Sequence, residues 1–326
     1  MEVYGNTRQL YEAFRVDAAD SPCFADWSAG VVADEQVLAW LDTLPDGKRQ
    51  PNLVFAAARW HGVPAPGPYE GLRSALLADD GTIRETIMER RTQTNEVGRL
   101  ATLVPALAGL GLSDPIALLE VGPSAGLCLY PDRWSYAWGT EAGVVTAGFG
   151  PALSCQVSGP APLPTVTPRI GWRGGIDLNP LDVTDPDAMA WLRMLVWPEQ
   201  HDRLAALDAG ITIAATDPPD LRTGDLLTGV ADLVAEASSY GPVVVFHSAV
   251  IAYLTRADRD RFAGLMAELV TDGRCHWISN EGRQVLPDIG ATSPPAPDQP
   301  NPFVLGVDGR AVARTHGHGR SMVWLG

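Results

Sequence analysis

The chain is 326 residues long, 46% apolar and acidic, with a formal net charge of −15 at neutral pH. That length accommodates one large α/β domain with an appendage, or two modest domains, and the apolar share suffices for packed cores. The acidic balance, without any basic stripe, argues against a nucleic-acid surface, and no apolar stretch reaches the roughly 18 residues of a membrane span.

Residues 1–110 predict a helical N-terminal cap. Tyr11, Phe14, Phe24, Trp27 and Val31–Val32 place apolar side chains in short segments. A compact helix is expected around Val37–Leu41, closed by Pro45-Asp46-Gly47, and Pro51-Asn52 opens another. The stretch from Thr82 to Leu110 reads as one long helix broken near Pro105. Within it Thr92, Asn95, Glu96 and Arg99 share one face at i, i+3, i+4, i+7 spacing. A solvated face is the default for such residues, yet Asn and Thr serve poorly on an exposed helix. Asn95, Glu96 and Arg99 are therefore expected to line the mouth of a pocket and meet substrate.

From residue 111 to 326 the pattern changes to short apolar strands alternating with helices, the signature of a mostly parallel sheet. The expected strands are Ile116–Glu120, Gly174–Leu178, Ile211–Asp217, Val243–His247 and His276–Ser279. Helices are expected over Asp187–Trp197, Gln200–Ala209, Asp225–Ala237 and Ala257–Thr271. Residues 137–173 read as a hairpin-like β insertion after the first strand. A proline-rich loop, Ser293–Pro302, precedes an antiparallel hairpin, Phe303–Val307 with Ala311–Thr315, turned by Asp308-Gly309; a final strand spans Ser321–Leu325.

The chemistry concentrates in Leu118-Leu119-Glu120-Val121-Gly122-Pro123-Ser124-Ala125-Gly126-Leu127. An apolar run breaks there into an acid and a turn of small residues, with a helix expected from Ala125 toward Trp134. The acid-first order points to S-adenosylmethionine more than to a dinucleotide, although Ser124 replaces a middle glycine. Asp177 and Asp217, ending two later strands, would take ribose hydroxyls and the adenine amino group; capping of helices is the plainer role for each. His247 closes the fourth strand, where a general base would face the reacting centre; a buried histidine bonded to backbone is the alternative. Gly122-Pro123-Ser124-Ala125-Gly126 also fits a nucleophile elbow, which makes a Ser124 hydrolase the rival reading. Cys23, Cys128, Cys155 and Cys275 lack metal or redox spacing, so a reducing, cytoplasmic setting and no metal site are expected.

Several blocks together resemble a known bacterial family. They are Arg91–Arg99, Leu119–Leu127, Asp132-Arg133, Gly175–Asp182, Val196–Gln200 and Val245–Ser248. The chain resembles domain of unknown function 2332, common in actinobacteria, over nearly its whole length. That resemblance implies no assigned reaction; it implies kinship with the methyltransferase superfamily. Cys128 departs from the asparagine usual after the Gly-Leu pair.

The expectation is thus a Rossmann-like, methyltransferase-type α/β domain at 111–326 under a helical cap at 1–110. It would bind S-adenosylmethionine through Glu120, Gly122, Ser124, Gly126, Asp177 and Asp217, with His247 catalytic and a small molecule as acceptor. Other uses of the cofactor (aminocarboxypropyl transfer or cyclisation), hydrolysis through Ser124 and binding without turnover stay open. Oligomeric state is not legible in the sequence.

Overall fold

The computed structural model describes residues 6–93, 95–295 and 302–326. Residues 296–301 of the expected proline-rich loop lie outside them. The chain divides into two compact units, Met1–Thr94 with Asp185–Ala205, and Asn95–Thr184 with Ala206–Gly326.

The first unit is helical. It holds α1 (Thr7–Asp17), α2 (Pro22–Ala33), α3 (Glu35–Asp42), α4 (Pro51–Trp60), α5 (Tyr69–Leu77) and α6 (Thr82–Glu89). Asn6 starts α1 with a capping box shared with Gln9. Buried Phe55 receives Phe24 at 5.0 Å and Trp27 at 5.3 Å, both as edge contacts that suit aromatic quadrupoles. The return segment is anchored by polar contacts as well as packing. Glu199 accepts from Ser21 Oγ at 2.6 Å and the Cys23 amide at 2.8 Å, and the Arg59 guanidinium donates to the Met194 and Val196 carbonyls.

The long helix expected over Thr82–Leu110 is instead interrupted. After α6, residues 90–93 and 95–96 are non-helical, a 3-10 turn forms at Val97–Arg99, and the chain resumes as α7 (Leu100–Gly109). Side chains compete with helix bonding here: Thr92 donates to Gln50, and Glu96 accepts from the Gly98 amide. Pro105 lies inside α7 without ending it. Its ring lacks the N–H that would reach the Ala101 carbonyl, and the Trp138 indole donates to that carbonyl at 2.8 Å.

The second unit carries β1 (Ile116–Val121), β2 (Ser135–Thr140), β3 (Gly143–Gly148), β4 (Ala152–Ser158), β5 (Ile170–Asp177), β6 (Asp220–Thr223), β7 (Val243–Ser248), β8 (His276–Gly282), β9 (Phe303–Val307), β10 (Arg310–Thr315) and β11 (Ser321–Trp324). They form one sheet in the order β3-β2-β4-β11-β10-β9-β8-β7-β1-β5-β6. The run β6-β5-β1-β7-β8 is parallel throughout, so the sheet is mostly parallel, as the sequence predicts. The expected C-terminal hairpin is present, and Asp308 (φ 47°) with Gly309 (φ 84°) supplies the two left-handed turn residues it needs. The insertion contributes the antiparallel β2–β3 hairpin and β4 to the same sheet.

Helices α10 (Leu226–Ala237) and α11 (Arg256–Thr271) pack on one face, with Leu119, Val121, Val245 and Trp277 in their shared core. On the other face Leu100, Leu103 and Leu107 of α7 meet Leu118, Phe246 and Ile278. Adjacent strand residues point to opposite faces, so Glu120 shares the α7 side with Leu118.

Two expectations fail locally. Ile211–Asp217 is not a strand: α8 (Pro186–Leu195) is followed by α9 (His201–Thr216), and β6 is the strand beside β5. Leu207, Gly210, Ile211 and Ala214 are buried at i, i+3, i+4, i+7, so helical periodicity outweighs the β-branched run Ile211-Thr212-Ile213. No α-helix follows Gly126, only a 3-10 turn at Leu127–Leu129; α12 (Pro287–Ala291) is a single later turn. Among the described residues no helix is long and apolar enough to cross a membrane.

Candidate functional site at the carboxyl edge of the parallel strands

The strand order reverses between β1 and β7, the position at which open α/β sheets leave a crevice at their carboxyl ends. Glu120 stands there, paired in register with Gly175 on β5 and Phe246 on β7. It is only 7% exposed, and its Oε2 is buried with no hydrogen-bond partner among the described residues. Burial pushes its carboxyl well above the usual range; nearby Arg99 opposes that shift and Asp177 adds to it.

Arg99 is held by carbonyls, donating from Nε to Gly317 at 2.8 Å and from a terminal nitrogen to Ser248 at 3.0 Å. Its charge is therefore positioned without a carboxylate in direct contact among the described residues. Asn95 accepts from the Leu127 amide at 3.3 Å, while its buried Nδ2 has no partner among the described residues. Cys128 donates to the Glu96 carbonyl, and burial raises its thiol, with Glu120, Arg99 and Glu96 as the charges around it. Glu96, Arg99 and Glu120 are thus brought around Cys128, and Asn95 bonds the neighbouring Leu127 amide, although a turn rather than one helical face places them.

The turn after β1 is clamped by β5. Asp177 accepts from the Ser124 amide at 2.9 Å and the Asn179 amide at 2.8 Å. Gly122 (φ 67°), Ser124 (φ 54°) and Gly126 (φ 72°) are all left-handed. A Cβ on Gly122 would lie 2.4 Å from Val250, and one on Gly126 would lie 2.8 Å from Pro219. Both glycines therefore admit neighbouring side chains of the protein itself. Ser124 has the left-handed backbone of a nucleophile elbow, but a 3-10 turn follows where an elbow would start a helix.

His247 lies elsewhere. It is fully buried, with Nδ1 at 2.8 Å from Glu281 and Nε2 accepting from the Trp277 indole at 3.1 Å. An indole only donates, so the ring proton sits on Nδ1 and both nitrogens are engaged. Its ring meets Phe262 of α11 edge-on at 5.4 Å, on the face opposite Glu120. Asp217 follows a helix instead of ending a strand, and its carboxylate lies 3.7 Å from Arg133 and 3.8 Å from Arg173.

Sequence reasoning missed a buried polar chain beside the site. Thr315 of β10 donates to Asn280 of β8 at 2.7 Å, and Asn280 donates to Ser248 of β7 at 3.0 Å. The signal was Ser279-Asn280-Glu281, polar residues prolonging an apolar strand. Among the described residues no group of three His, Cys, Asp or Glu is placed to hold a metal ion.

No curated protein and no solved structure matches the chain. A family model described as an uncharacterized protein conserved in bacteria (DUF2332) matches residues 9–324. With nearly the whole chain inside that match, and the quoted blocks spanning both units, the protein belongs to the bacterial DUF2332 family.

Proposed function

We propose that the sheet unit binds S-adenosylmethionine at the carboxyl edge of β1, β5 and β7 and transfers its methyl group to a small molecule. The observation that carries this reading is the buried, unpartnered Oε2 of Glu120 at the reversal of strand order. The parallel half runs in the doubly wound order of nucleotide-binding sheets, which supports a Rossmann-like kinship. A desolvated carboxyl gains most from a cationic partner, and the methionine ammonium is such a partner. Asn95 Nδ2 is a second buried group in want of a bond, suited to a carboxylate.

Asp177 keeps spare lone pairs for ribose hydroxyls beyond its two amide bonds. Leu178 beside it is 68% exposed and offers an apolar surface for the base. Gly122, Ser124 and Gly126 shape the turn against which the methionine moiety lies. Asp217, already beside two arginines, is left out of the adenine role. His247, with both nitrogens engaged, is left out as a base. The cofactor supplies an activated methyl group, so alignment of the acceptor provides much of the catalysis.

Calorimetric titration with S-adenosylmethionine, S-adenosylhomocysteine and NAD tests the reading. Saturable binding of the first two alone, at roughly micromolar affinity, is expected. Absence of both adenosyl ligands from the site would overturn it. The left-handed φ of Ser124 favours one other reading, an ester hydrolase. Loss of activated-ester turnover in Ser124→Ala, with no adenosyl binding, would establish that reading instead.

A further inference from the structure

The eleven-stranded sheet has two edges, and they differ in kind. At one edge β6 has four residues, Asp220–Thr223, and carries charge: Arg222 pairs with Asp220 at 3.1 Å and with Glu236 at 2.6 Å. Short length and charge are the usual protections of a sheet edge. At the other edge β3 runs Gly143-Val144-Val145-Thr146-Ala147-Gly148, without charge or proline. Among the described residues it pairs only with β2, on one side, so alternate backbone N–H and C=O groups face outward along it.

The surroundings of β3 share this character. Between Trp134 and Pro168 the only charged residue is Glu141, in a chain that is 19% charged. Val144 is 68% exposed, Phe149 91% and Val166 75%, among the most exposed large apolar residues of the molecule. Depletion of charge with exposed aromatic and aliphatic groups marks the core of a protein interface.

The geometry points to β3 as a homodimer seam, at which two copies pair antiparallel about a twofold axis and continue the sheet from one subunit into the next. A second copy is the occupant that the charges select. A net charge of −15 makes two copies repel over most of their surface, and the β3 region is where that repulsion is weakest. A twofold interface also requires a patch complementary to itself, and an uncharged edge of Val, Thr and Ala meets that condition. Acidic or basic partners find no charge of opposite sign along β3 itself.

Sedimentation velocity on the full chain at micromolar concentration tests the inference. A species of twice the chain mass is expected, and Val144→Lys combined with Thr146→Lys weakens its association at least tenfold by setting like charges across the seam. Arg222→Ala at the opposite edge leaves it unchanged. Far-UV circular dichroism reports whether each variant folds. A second measurement needs no disruptive change: Thr146→Cys is oxidised mildly and run on a non-reducing gel. The four native cysteines are buried, so a disulfide-linked dimer reports the new thiol. A wild-type chain that stays monomeric, or a dimer that survives the lysine pair and forms no disulfide through Thr146→Cys, overturns the seam.

Discussion

Two glutamates are buried in the same sheet, and the protein treats them differently. Glu281 on β8 is 2% exposed, and one oxygen accepts from His247 and from the Val250 and Ile251 amides at 2.8–3.0 Å. Its bonds tie β7, β8 and the loop after β7 together, even though its Oε2 has no partner among the described residues. Glu120 on β1 has no such set of donors among the described residues, and the positive charge that acts on it, Arg99, donates to two carbonyls. A carboxyl that serves the fold is supplied with donors by its own chain. One kept buried and underbonded at a strand-order reversal costs stability, and under the proposed function a bound cofactor offsets that cost.

The largest expected effect falls on the surroundings of Glu281. His247→Ala removes one of the three donors to Glu281 and opens a hole beside Phe262 and Trp277, so urea unfolding should show a loss of about 3–5 kcal/mol. Cofactor affinity of the folded fraction should stay near wild type, since His247 lies on the other face. A large affinity loss with little destabilisation would place His247 in the site after all. Asp177→Ala comes next. It frees the Ser124 and Asn179 amides, and should cost about 1–3 kcal/mol and weaken cofactor binding at least tenfold.

Glu120→Gln gives the smallest effect, of opposite sign. A carboxyl raised in the folded state binds its proton more tightly there than in the unfolded chain. Its contribution to stability is then full below the unfolded value of about 4.3 and is lost as pH climbs through the raised folded value. Glutamine does not ionise, so the variant should gain on the wild type as pH rises from 4 to 8, reaching about 1–2 kcal/mol in its favour. Thermal melts of both proteins across that range check the sign. A wild type that is the more stable at pH 8 would show Glu120 to be satisfied within the fold.

The parallel core was legible because its strands are short, buried on both faces and continuously apolar, as in Ile116–Leu119 and Val243–Phe246. The last hairpin was legible from Asp308-Gly309 alone. The segment Ile211-Thr212-Ile213 misled because β-branched residues were weighed over the spacing of buried positions in α9. The helix expected through residues 90–99 is replaced by a turn in which Glu96 accepts from the Gly98 amide, and Arg99 at its end lies near enough to Glu120 to act on its carboxyl. The chain Thr315–Asn280–Ser248 was hidden for another reason. It depends on register across β7, β8, β9 and β10, and Arg99 meets Gly317 across 218 positions of sequence. Short-range pattern carries no such information.

The most direct test compares wild type and Glu120→Gln by calorimetric titration with S-adenosylmethionine at pH 7. The unpartnered carboxyl predicts saturable binding of roughly micromolar affinity by the wild type and at least tenfold weaker binding by the variant, which remains folded. Equal affinity in the two proteins, or no binding by either, would contradict the assignment of Glu120 to a cofactor site.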